Sequence, residues 1–315
     1  MPVLIIPQLS ESDVARIQAA APGVELRTAA SQSEAEALAC DADACFGFMS
    51  PALCRAGSRL RWVQVASAGI ERYGFPELVN SDIVLTNASG TYGSHLAEHL
   101  LAFILAFSRN FHLLFPAQQE RRWMRRSEVP AHELAGETVL IVGLGGTGRD
   151  LARKTHALGM RVVAATRTPK PGEECVDRLV GMDQLHEVLP DADYVALCCA
   201  YTRETHHLFG APEFARMKPT AYITNVARGG VIDQDALIAA LAAGEIAGAG
   251  LDVTTPEPLP SDHPLWTTPN VLITPHSSGH SPHSDRRLMD LLCENLRRFT
   301  AGEPLLNRVD KQRDF

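Results

Sequence analysis

Residues 139–159 read VLIVGLGGTGRDLARKTHALG, an apolar run that breaks into Gly143-x-Gly145-x-x-Gly148 and continues as a helical pattern. A strand that turns sharply through glycines into a helix brings bare backbone and the positive end of the helix dipole to one point. That point suits a pyrophosphate. The first glycine makes the turn, the second lets the backbone approach the phosphates, and the third lets the helix pack on the strand. Glycine spacing alone is a weak signal; the strand before it and the helix after it make it strong. The stretch therefore predicts a dinucleotide-binding unit with Gly143, Gly145, Gly146, Thr147 and Gly148 at the cofactor.

The same alternation runs through the whole chain. Short apolar runs at residues 3–6, 25–28, 44–48, 61–65 and 84–87 are separated by helical stretches such as 11–20. A long apolar helix is expected at about residues 94–109, then a basic, less regular stretch to about 130. A second series of runs follows at 138–142, 161–166, 194–198, 221–225, 248–252 and 271–274, with a last helix at about 284–301. Strands alternating with helices in this way predict an α/β fold with mostly parallel sheets. A chain of 315 residues has room for two such lobes at roughly 150 residues each.

Charge narrows the partners. The formal net charge of −8 argues against a nucleic-acid binder, which draws its affinity from clustered Lys and Arg. The one basic run, Arg121, Arg122, Arg125 and Arg126 around Trp123, reads as a solvated or subunit-contact surface. Seven cysteines, scattered without C-x-x-C or zinc-ligand spacing, suit a reducing compartment. The first residues lack a basic leader pattern, and no apolar run approaches the roughly 20 residues of a membrane span, so a cytoplasmic protein is expected.

The strand after the fingerprint bears on cofactor choice. A carboxylate at its end would accept from both hydroxyls of an adenosine ribose and repel a 2′-phosphate. Here the strand ends Ala165-Thr166-Arg167, with Thr166 eighteen residues past Gly148 and Lys170 close by. An uncharged hydroxyl beside a guanidinium suits a phosphate better than a bare ribose, so NADP(H) is expected over NAD(H).

Three later segments read NVARGGVIDQDAL (225–237), GAGLDVTTPEPLPSDHPLW (248–266) and NVLITPHSSG (270–279). Together with the fingerprint, and with VASAG (65–69) and NASGTYGSHLAEHLLAFILAFSRN (87–110), they resemble the D-isomer-specific 2-hydroxyacid dehydrogenase family. The resemblance implies a Rossmann nucleotide-binding domain, residues 93–282, inserted into a flavodoxin-like substrate domain made of residues 1–92 and 283–315. It implies a homodimer, with the apolar helix and the arm after it as the interface. It also implies an oxidoreductase that moves hydride between NAD(P)H and a 2-oxo acid or D-2-hydroxy acid, of glyoxylate or hydroxypyruvate type or larger.

What the resemblance assigns can be set against chemical need. A 2-oxo acid offers a carboxylate and a carbonyl, so its site needs a fixed cation and a proton donor. Arg228 matches the family's substrate arginine, His276 its acid/base histidine, and Glu257 the carboxylate that orients that histidine and favours its protonated form. Asp252 matches the aspartate beside the nicotinamide carboxamide; Thr205, Val226, Ala227 and Gly279 complete the expected cofactor contacts. Ala68, Gly69 and Ile70 match the loop whose backbone N–H groups receive the substrate carboxylate. Ala200 and Tyr201 stand where many members have proline, and Thr254 where an aromatic is frequent.

Three competing readings share these features. His95-Leu-Ala-Glu98-His99 spells H-x-x-E-H, a zinc-peptidase signature, but no further ligand is identifiable and no metal is expected. The fold also serves a non-catalytic, nucleotide-sensing corepressor in the C-terminal binding proteins. Formate and phosphite dehydrogenases share the architecture with different substrate loops.

Overall fold

The computed structural model describes residues 1–312. They form two compact units, one comprising residues 1–92 with 281–312, the other Gly93–His280. The first is built on five parallel strands, β1 (Val3–Pro7), β2 (Glu25–Ala29), β3 (Ala44–Phe46), β4 (Trp62–Gln64) and β5 (Val84–Thr86). Their order, β2-β1-β3-β4-β5, is the flavodoxin-like one.

A sheet covered on both faces needs apolar side chains in both directions, which is why these strands read as unbroken apolar runs. Along β1, Val3 and Ile5 face one core while Leu4 and Ile6 face the other. The second core is closed by the helix Ser284–Ala301, through Leu288, Met289, Leu292 and Leu296 against Leu4, Ile6 and Trp62. Asn295 on that helix is fully buried and fully engaged: its amide donates to Gln64 Oε1 at 3.0 Å and accepts from the Leu306 N–H at 2.7 Å.

The second unit carries seven parallel strands, β6 (Thr138–Val142), β7 (Arg161–Thr166), β8 (Arg178–Gly181), β9 (Tyr194–Leu197), β10 (Tyr222–Asn225), β11 (Gly248–Leu251) and β12 (Val271–Ile273). Their order is β12-β11-β10-β9-β6-β7-β8. Chain direction across the sheet reverses at β6, flanked by β9 and β7, and open α/β sheets bind ligands outside the carboxyl ends of the strands at such a point. One face is covered by the helix Gly93–Ser108, which buries Ala97, Leu100, Phe103, Ile104 and Phe107.

Two elements depart from the expectations. The stretch after the long helix is not all irregular: Asn110 takes a left-handed φ of +59°, and a second helix, Phe111–Gln119, follows. Its Phe111 and Phe115 stack at 5.0 Å yet remain 41% and 55% exposed, and Trp123 beyond it is 94% exposed. The edge strand β8 was not anticipated either, since it follows a polar, turn-rich loop. Among the described residues no single helix is long and apolar enough to cross a membrane.

Candidate active site

The fingerprint is built at the carboxyl end of β6. Gly143 takes φ +100°, and a Cβ there would lie 2.6 Å from the Cα of Cys199, just past β9. Gly148 lies in the first turn of the helix Gly146–Ala157, where a Cβ would come within 2.1 Å of the Gly143 carbonyl oxygen. Gly145 caps that helix without a side-chain hydrogen bond, and apart from its own chain neighbours nothing lies within 4 Å of where its Cβ would stand. The cradle is thus crowded where it meets the sheet and open at Gly145, which fits the close approach of a pyrophosphate to helix amides.

Thr166, half-buried, ends β7, and Arg167 and Lys170 in the loop beyond are exposed. That loop is tied back to the fingerprint. Arg149 donates through Nε and Nη2 to both oxygens of Glu173, at 2.8 and 2.7 Å, and the pair holds the Glu173 carboxyl below its usual range. Sequence reading missed this clamp.

The strands β10, β11 and β12 are neighbours, with Asn225, Leu251 and Ile273 in register, so the three loops that follow leave the sheet side by side. In the first, fully buried Asn225 accepts from the Ala227 N–H and donates to the Arg228 carbonyl, each at 2.9 Å. This turn buries Val226 and Ala227 and presents a half-buried Arg228, whose Nη1 donates to the Ala227 carbonyl at 2.7 Å.

The second loop begins with Asp252, whose carboxylate is fully buried beneath the third. It accepts from Thr274 Oγ1 at 2.6 Å, the Ser277 N–H at 2.9 Å and the Ser278 N–H at 3.0 Å. Burial pushes this carboxyl up, but the bonds from Ser278, Thr274 and Ser277 outweigh it and hold it below the usual carboxylate value. A depressed folded-state value means the stabilisation is present above the unfolded carboxylate range and is lost as pH falls through the folded value. Asp252→Ala is expected to cost about 2–4 kcal/mol, from two stranded N–H donors and a lost charge-assisted bond. Denaturant unfolding should also show shallower acid destabilisation in the variant; an unchanged midpoint and acid limb would remove Asp252 as the anchor of this loop.

The third loop carries His276 at φ +52°, an uncommon conformation for a side-chain-bearing residue. Its N–H donates to the carbonyls of Asp252 at 2.8 Å and Thr274 at 3.0 Å. Its ring Nδ1 lies 2.7 Å from Glu257 Oε2, while Glu257 Oε1 accepts from the Thr254 N–H at 3.0 Å. The two side chains are 46% and 37% exposed, so the pair is held in place yet reachable.

Other anticipated residues have different company. His95 Nε2 lies 3.0 Å from the Gly279 carbonyl oxygen and His99 Nε2 2.8 Å from Thr274 Oγ1, so the H-x-x-E-H histidines brace the loop that bears His276. Among the described residues no group of three or more His, Cys, Asp or Glu is placed to hold a metal. Thr205 Oγ1 accepts from the Thr202 N–H at 2.7 Å and donates to the Ala200 carbonyl at 2.8 Å, shaping its own loop. Ala68, Gly69 and Ile70 belong to the other unit: the Ala68 carbonyl accepts from Asn87 Nδ2 at 2.6 Å and the Gly69 carbonyl from Ser67 Oγ at 2.8 Å.

A glycine cradle at the switch point of a seven-stranded parallel sheet, with an arginine and a His–Glu pair on neighbouring strand ends, fits a dinucleotide-dependent oxidoreductase. Residues 101–278 match the family model for D-isomer specific 2-hydroxyacid dehydrogenase, NAD binding domain. The glyoxylate reductase of Korarchaeum cryptofilum is 32% identical over 262 residues, covering 82% of this chain and 78% of that protein. A D-isomer specific 2-hydroxyacid dehydrogenase from Xanthobacter autotrophicus, solved in complex with NADPH and MES, superposes with a TM-score of 0.85 at 30% identity, covering 100% of this chain and 99% of that one. An NADPH-dependent glyoxylate/hydroxypyruvate reductase from Sinorhizobium meliloti, solved with NADP and sulfate, gives 0.85 at 26% identity over 100% and 99% of the two chains. The chain belongs to the D-isomer specific 2-hydroxyacid dehydrogenase family. It is an NAD(P)-dependent dehydrogenase of 2-oxo and 2-hydroxy acids.

Proposed function

We propose that this enzyme reduces a small 2-oxo acid of the glyoxylate or hydroxypyruvate kind to the D-2-hydroxy acid with NADPH, using Arg228, Glu257 and His276. The observation that carries the reading is the 2.7 Å contact between His276 Nδ1, in the loop after β12, and Glu257, in the loop after β11, beside the Arg228 loop that follows β10. Bound at the cradle of Gly143, Gly145, Gly146, Thr147 and Gly148, a nicotinamide cofactor supplies or accepts the hydride. The chain does the rest.

Arg228 holds the substrate anion and polarises its carbonyl, because a planar fork can pair with both groups at once. With Nδ1 engaged by Glu257, Nε2 is the ring nitrogen of His276 left to give a proton to the carbonyl oxygen, or to take one in oxidation. Thr205, Val226, Ala227, Asp252 and Gly279 line the nucleotide.

Preference for NADPH is supported by the uncharged Thr166 and the adjacent Arg167 and Lys170, and by the NADPH-bound relatives. NADPH should give the higher kcat/KM. Arg167→Ala should lower that preference about 10-fold or more, the scale of a charge-assisted hydrogen bond, and Thr166→Asp should act in the same direction by repelling the 2′-phosphate. Equal or better use of NADH by the native enzyme would overturn the assignment.

The exposed, stacked Phe111 and Phe115 and the exposed Trp123 support a homodimer joined through this arm, since apolar area of this kind marks an interface. A monomer in sedimentation at micromolar protein would remove that proposal. Seven free thiols support a cytoplasmic setting. The function itself is tested by turnover of a panel of 2-oxo acids with each cofactor. No turnover by a protein that binds NADPH would favour the nucleotide-sensing scaffold instead.

A further inference from the structure

Glu257 projects from a short turn after β11 that is steadied both from within and by a neighbouring segment. Within the turn, Thr254 donates its N–H to Glu257 Oε1 at 3.0 Å and its hydroxyl to the Pro256 carbonyl at 3.0 Å. The next residue, Thr255, is exposed, and both of its backbone polar groups go to one side chain. Gln234 Oε1 accepts from the Thr255 N–H at 2.7 Å, and Gln234 Nε2 donates to the Thr255 carbonyl.

Gln234 is itself well placed. It opens the helix Gln234–Ala243, whose N-cap Asp233 accepts from the Ala236 N–H at 3.1 Å. That helix continues the segment from Arg228. At Gly229 the two loops touch backbone to backbone: a Cβ there would lie 2.1 Å from the carbonyl carbon and oxygen of Thr254. The Thr254–Thr255 peptide is therefore pinned between the bare α-carbon next to Arg228 and the amide of Gln234.

We infer that Gln234 is a positioning residue for proton transfer, a clasp that holds the Glu257 turn against the Arg228 loop. The inference rests on the reading of Glu257 and His276 given above. One amide that closes on both the N–H and the C=O of Thr255 acts like a rung of β-sheet and stops the turn from rotating. Rotation there moves the Thr254 N–H that fixes one Glu257 oxygen, and with it the oxygen that meets His276. Small misplacements of a catalytic group lose rate steeply.

The test is a double-mutant cycle in the full-length enzyme. Gln234→Ala should lower kcat for 2-oxo acid reduction about tenfold, at unchanged KM for the nucleotide. Gln234→Glu, which keeps the acceptor for the Thr255 N–H, should recover part of it. If Gln234 acts through Glu257, adding Gln234→Ala to Glu257→Gln should cost little more than Glu257→Gln alone; independent, multiplying losses would overturn the clasp. A Gln234→Ala enzyme with native kcat, alongside a crippled Glu257→Gln, would overturn the clasp alone. Native kcat in Glu257→Gln would instead overturn the acid/base pair on which it rests.

Discussion

His276→Ala is expected to lose turnover in both directions by about 10²–10⁴-fold, the usual contribution of a positioned general acid or base. Reduction consumes a proton at the carbonyl oxygen and needs imidazolium, whereas oxidation needs the neutral ring. In the native enzyme one ionisation should therefore govern both directions with opposite sign: kcat/KM for reduction falls as pH rises through it, and that for oxidation rises. The alanine variant should lose this shared limb as well as the rate. Nucleotide binding, read by fluorescence titration, should survive, because the fingerprint lies at another strand end. A variant that keeps the limb would place the proton donor elsewhere.

Arg228→Ala should lower kcat/KM for the 2-oxo acid by roughly 10²–10³-fold, the range for removing one fixed electrostatic donor at a reacting oxygen. The guanidinium is held by its bond to the Ala227 carbonyl and by the turn that Asn225 ties. That preorganisation is why Arg228→Lys should recover only part: an ammonium keeps the charge but not the planar fork. Near-native kinetics in the alanine variant would remove Arg228 from the mechanism. Thermal melting should stay close to native, since the side chain is only half-buried.

Most strands of both sheets, and the motifs that hold the candidate residues, could be read in advance because their signal is local. Parallel strands covered on both faces, such as β6 and β9, show as unbroken apolar runs, and Gly143, Arg228 and His276 sit within motifs that surround them. The helix Phe111–Gln119 escaped because Asn110 and Pro116 both read as breaks, and its exposed phenylalanines give no buried stripe. The edge strand β8 buries little but Val180, so it carries no strong periodic signal. The bonds that Gln234, Asp252 and Arg149 make to fix neighbouring loops join residues 21 to 26 apart, a separation set by strand register and loop length rather than by any pattern in the chain.

The helix Ser284–Ala301 completes the core of a unit whose strands all lie within the first 92 residues. During synthesis, that sheet emerges with the face of Leu4, Ile6 and Trp62 only partly covered, by Ile17 and Ala21, and with Gln64 lacking the amide of Asn295. About 190 further residues must be made before its cover arrives, a wait of roughly 10–40 s at ordinary translation rates. The inserted unit is contiguous and needs nothing from either end to finish its own sheet. The nascent chain thus matures from the middle outward, and its earliest-made segment is the last to become safe from aggregation and proteolysis.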